Sequence, residues 1–117
     1  MIFIASLALV ALPQDSGLSP TTRIEANGKP IDVTVGHAAP FSKDWDGDGI
    51  KDLLVGEFGN LDFPKDRLPE NQQDKPSNAY SQSKLRIYKN YGTNTAPSFK
   101  GFEYLKAGEE DASIPST

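Results

Sequence analysis

The sequence has no cysteine, so it can build neither a disulfide framework nor a thiol nucleophile. Its one histidine, His37, has no second histidine or cysteine with which to complete a zinc set. A lone histidine among many serines supplies no nucleophile, base and orienter either, and His37 reads as an ordinary turn or core residue. Phosphate-cradling glycine loops and Asn-x-Ser/Thr sequons are missing as well. No segment has helical periodicity, and no basic stripe exists that would suit a nucleic acid or an anionic lipid surface. The longest apolar run, Ile2 to Leu12, stops at Pro13 and falls short of the ~20 residues that a membrane span takes. It suits the apolar centre of a signal peptide over 1–12, which predicts a secreted, periplasmic or envelope location, with a buried first strand as the alternative.

What is present points to β structure. A chain of 117 residues holds one domain at most, and 37% hydrophobic content is low for a large core. Ten glycines and nine prolines suit short strands joined by turns. Residues 13–30 read as a linker and lead-in. Ile31, Val33 and Val35 alternate with Asp32 and Thr34, which predicts a half-buried strand. A short extended segment through Phe41 follows. Strands are then expected at Asp52–Glu57, at Leu85–Tyr88 and at Phe99–Leu105, with a turn at Asn90–Asn94. Between them, 60–83 is rich in Pro, Asn, Gln, Asp and Ser, and reads as a mobile insertion. Residues 106–117 read as a polar tail, and Glu109-Glu110-Asp111 as a solvated turn. The expected class is all-β, with about four antiparallel strands.

The charge is distributed unevenly. Sixteen acidic residues face twelve basic ones, so four aspartates, Asp44, Asp46, Asp48 and Asp52, account for the whole net charge of −4. They lie in the stretch DWDGDGIKD. Two carboxylates ~5 Å apart repel by roughly 1–3 kcal/mol at effective dielectrics between bulk water and a protein surface. Something positive must offset several such pairs, and the neighbouring Lys43 and Lys51 are too few to fill the loop centre.

A calcium ion answers this, because it takes six to eight oxygens at about 2.3–2.6 Å. Alternate positions can turn Asp44, Asp46 and Asp48 inward, Gly47 and Gly49 allow a tight curl, the Ile50 carbonyl follows, and Asp52 closes the cage. Magnesium demands shorter bonds and stricter octahedral geometry, so it fits less well. An EF-hand is excluded, since its twelfth position calls for glutamate and Val55 stands there. A solvated acidic turn leaves the regular spacing unexplained. A general acid–base pair needs one protonated partner and a cleft. Trp45 falls at a non-ligand position and is expected to pack on the domain edge.

The segment Asp44 to Gly56, DWDGDGIKDLLVG, resembles the calcium-loop signature of FG-GAP/VCBS repeats, found in integrin α-subunit heads and in bacterial secreted proteins. The bacterial resemblance continues through Leu85-Arg86-Ile87-Tyr88-Lys89-Asn90, Gly92-Thr93 and Ala96-Pro97-Ser98-Phe99, and so covers about residues 36 to 105. At the places of the name-giving Phe-Gly and Gly-Ala-Pro elements stand Phe41-Ser42 and Gly56-Glu57-Phe58. The resemblance implies a four-stranded β-propeller blade over 31–105, with Asp44, Asp46, Asp48 and Asp52 as side-chain ligands and Ile50 as the backbone ligand of calcium. Repeat units bury their core against neighbours, so a single copy implies a piece of a larger propeller whose partners are other blades. The module would be a non-enzymatic scaffold or binding surface. The alternatives are a non-catalytic accessory segment of a secreted hydrolase or lyase, and an adhesion module meeting a protein or glycan.

Overall fold

The segment Asp52–Glu57 forms the strand around which the rest is arranged. The computed structural model describes residues 17–117, and the apolar run at 2–12 lies outside the described residues. Among the described residues nine strands form, in chain order β1 (Glu25–Ala26), β2 (Lys29–Pro30), β3 (Ala39–Lys43), β4 (Asp52–Glu57), β5 (Ser81–Tyr88), β6 (Glu103–Tyr104), β7 (Lys106–Ala107), β8 (Glu110–Asp111) and β9 (Ile114–Ser116). The main sheet runs β3-β4-β5-β6, every pairing is antiparallel, and β9 joins β5 as well. Two small hairpins, β1–β2 and β7–β8, complete an all-β fold. No helix among the described residues is long and apolar enough to cross a membrane.

The strand period of two gives β4 and β5 two faces. Register sets Leu53 opposite Tyr88 and Val55 opposite Arg86, so these four share one face. Leu53, Val55 and Tyr88 form the core cluster, and Ala26, Ile31, Val33 and Phe99 pack onto it. Leu54 and Ile87 share the opposite face.

The alternating Ile31-Asp32-Val33-Thr34-Val35 does not form the expected strand. Its side chains supply packing, but its backbone bonds elsewhere. The Ile31 N–H donates to the Ile24 carbonyl at 2.9 Å, and the Thr34 N–H donates to Glu57 Oε2 at 2.7 Å. Val35 stays exposed. The partner of β4 is instead the next segment, Ala39–Lys43, an outer strand whose five residues are all exposed and whose Pro40 has no N–H to donate.

Other expectations change as well: the lead-in expected over 13–30 carries the β1–β2 hairpin, and the strand expected over Phe99–Leu105 is reduced to β6. Residues 60–83 are organised by three 3-10 turns, Lys65–Arg67, Glu70–Gln72 and Ser77–Ala79, each preceded by a proline. They bury Phe63 and Leu68, and the Arg67 guanidinium lies over the Phe63 ring. Backbone bonds from Phe63 to the Tyr80 carbonyl and from Gln82 to the Leu61 carbonyl close the stretch on itself, and Arg67 ties it to Ser113. The anticipated tail at 106–117 carries β7, β8 and β9, and β9 lines up Ser81 with Ser116 and Ser83 with Ile114. Hydroxyl contacts between Ser81, Ser83 and Ser116 reinforce that pairing, so a polar segment adds a strand without apolar alternation.

One buried ion pair lies on the packed face. Glu57 Oε2 accepts from Arg86 at 2.7 Å, and Glu57 Oε1 accepts from the Tyr104 hydroxyl at 2.6 Å. Arg86 also donates to the Asp32 carbonyl and to Thr34 Oγ1, and so stitches the 32–34 segment onto the sheet. Burial would raise the Glu57 pKa, but hydrogen bonds from Arg86, Tyr104 and Thr34 outweigh it and hold the carboxyl at about 2.

Candidate metal centre

The loop between β3 and β4 spans residues 44–51 and carries the aspartates at its turn. Gly47 and Gly49 take φ of 80° and 86°, a region that side chains with a Cβ rarely enter, and this closes the turn. One carboxylate oxygen from each of Asp44, Asp46 and Asp48 lies within 4.8 Å of the others. Two oxygens sharing a metal ion at about 2.3–2.6 Å stand no more than about 5 Å apart, so one oxygen from each aspartate could reach a common ion.

The same carboxylates shape the backbone. Asp44 Oδ1 accepts from the Gly47 and Asp48 N–H groups at 2.8 and 3.1 Å, and Asp44 Oδ2 accepts from Gly49 at 2.9 Å. Asp46 Oδ1 accepts from Asp48 at 3.3 Å, and Asp48 Oδ1 accepts from Ile50 at 2.8 Å. These are Asx-type bonds that curl the chain locally. Among the described residues, Asp46 Oδ2 and Asp48 Oδ2 take no backbone donor. Both face a side-chain cation: Lys89 Nζ bonds Asp46 Oδ2 and lies 3.8 Å from Asp48 Oδ2. The Lys89 ammonium therefore lowers the Asp46 pKa, and Asp46 in turn raises that of Lys89.

Asp52 is placed differently from the other three. It is 2% exposed and does not belong to the cluster of three. Its Oδ2 accepts from the Trp45 N–H at 3.0 Å and its Oδ1 from the Asn90 N–H at 2.8 Å. Asp52 thus ties the entrance of the loop to the end of β5. At Ile50 the N–H serves the turn through its bond to Asp48.

A second loop, residues 90–98, backs the first. Asn90 is 2% exposed and saturates its amide: Nδ2 donates to the Lys51 and Thr93 carbonyls, and Oδ1 accepts from the Gly92 and Ser98 N–H groups. Asn94 accepts from the Lys51 N–H at 2.7 Å and donates to the Gly49 carbonyl at 3.2 Å. Sequence reasoning identified this stretch as a turn but missed its contacts with the aspartate loop. The available signal was the run of side-chain amides at 90 and 94 beside two glycine-containing turns. Trp45 is 43% exposed, and His37, at φ 55°, stacks on Phe58 with ring centroids 4.5 Å apart.

Compared with family models, curated proteins and solved structures, the chain matches none.

Proposed function

We propose that this chain is a calcium-binding module of the FG-GAP/VCBS type, in which the ion stabilises the hairpin between β3 and β4. The observation that carries this reading is the convergence of Asp44, Asp46 and Asp48 at the tip of an antiparallel hairpin. In this reading the antiparallel path β3-β4-β5-β6 would be one blade of a propeller, and other blades would cover the surface it leaves open. Asp44, Asp46 and Asp48 are then the side-chain ligands and the Ile50 carbonyl follows them, while Asp52, expected from the sequence as a fourth carboxylate ligand, instead braces the loop through the Trp45 and Asn90 amides. The role is structural and binding rather than catalytic, in a secreted or envelope protein.

Extracellular calcium sites work with dissociation constants around 10⁻⁴–10⁻³ M. Calcium at ten times the dissociation constant stabilises a fold by about 1.4 kcal/mol. Thermal unfolding followed across a calcium titration should therefore show a rising midpoint. In Asp48→Ala the rise should vanish while the fold remains. An unchanged midpoint in millimolar calcium sinks the reading.

A further inference from the structure

The aspartate cluster already holds a cation, and that cation belongs to the chain. The pairing of Tyr88 with Leu53 brings Lys89, the next residue, to the base of the aspartate loop. Its ammonium bonds Asp46 Oδ2 and faces Asp48 Oδ2. The turn amides take the Oδ1 atoms of both residues, so Lys89 sits on the two oxygens that the backbone leaves for a ligand. The ammonium thus engages two of the three carboxylates that converge on the turn.

We propose that Lys89 is a tethered competitor for the metal, and that divalent-cation binding at this loop is an exchange. Before the metal arrives, the ammonium relieves repulsion between Asp46 and Asp48. When the metal binds, it takes both Oδ2 atoms and Lys89 turns out to solvent. The side chain is 47% exposed, so its flexible stem has room for that movement. The device loosens the metal site and protects the metal-free loop. It rests on the reading of the loop as a calcium site.

The test is calorimetric titration of calcium chloride into the wild type, Lys89→Gln, Lys89→Arg and Lys51→Gln at low ionic strength. Lys51 also lies in the loop but makes no ion pair among the described residues. Removing the charge at Lys89 should tighten calcium binding about two- to fivefold, the range expected for an exposed ion pair. Lys89→Arg should keep the wild-type affinity or weaken it, and Lys51→Gln should shift it less than Lys89→Gln. In the metal-free state, Lys89→Gln should melt earlier than the wild type. Equal affinity in the wild type and Lys89→Gln overturns the exchange and leaves the calcium site standing. An equal gain in Lys51→Gln overturns it too, because the effect is then the general field of the loop. If none of the four proteins binds calcium, the exchange and the calcium reading fall together.

Discussion

Two ion pairs, both drawing their cation from the β5 end of the β4–β5 ladder, illustrate opposite uses of charge. Arg86–Glu57 closes at 2.7 Å with side chains 9% and 2% exposed, whereas Lys89–Asp46 lies in the open at 47% and 32%. Only Ile87 and Tyr88 separate the two cations along the chain. The arginine is hemmed in by Asp32, Thr34, Tyr88 and the Phe102 ring, 4.2 Å from its guanidinium carbon. The lysine has two carboxylates and water. A buried pair cannot lose one partner cheaply, because the other is left charged and dry. An exposed pair can, because water replaces the partner. The first is suited to fixing a fold and the second to being exchanged.

The largest test of this contrast is to remove one member of the buried pair. Glu57→Gln should destabilise the protein by about 3 kcal/mol or more, read by denaturant unfolding. It should also speed hydrogen exchange at the Thr34 amide, which Glu57 accepts. If the loss is no larger than for Lys89→Gln, burial does not separate the two pairs. The next effect is that of acid. The Glu57 pKa falls from its ordinary 4.5 to about 2 on folding, so its contribution is complete above pH 4.5. It drains away as the pH drops toward about 2, and Glu57→Gln should flatten the stability profile across that window. Asp46 is also lowered, so it adds an acid loss of the same sign. The smallest effect is that of salt. Raising sodium chloride to about 1 M shortens the Debye length to about 3 Å, which should shrink the affinity gap between the wild type and Lys89→Gln. The Glu57→Gln penalty should stay nearly constant over the same range.

How far the sequence could be read depended on how local each cause was. Strand β4 was legible because Leu53-Leu54-Val55 is a concentrated apolar run, and its bounds match Asp52–Glu57. The clustering of Asp44, Asp46 and Asp48 was legible because a curl of five residues sets it. Asp52, four residues further on, turns instead to the Trp45 and Asn90 amides, the second of which reaches it only through β4–β5 register. Lys89 was invisible for a related reason: it lies 43 residues from Asp46, and only strand pairing makes them neighbours. The alternation at Ile31–Val35 was a true signal of packing, since Ile31 and Val33 reach the core. Alternation reports which side chains are covered; it does not say whether the backbone has a ladder partner. The C-terminal segment hid for the opposite reason, since hydroxyls and lysine–aspartate contacts anchor it rather than apolar periodicity.

Pro40, in the outer strand β3, affects how separate molecules meet. A foreign strand extends a sheet by threading its carbonyls onto a continuous row of free amides along the rim. At Pro40 that row is broken, and Lys43 adds a charge a little further on. This rim is therefore a poor template for fibril growth, even though Phe41 between them stays greasy and uncovered.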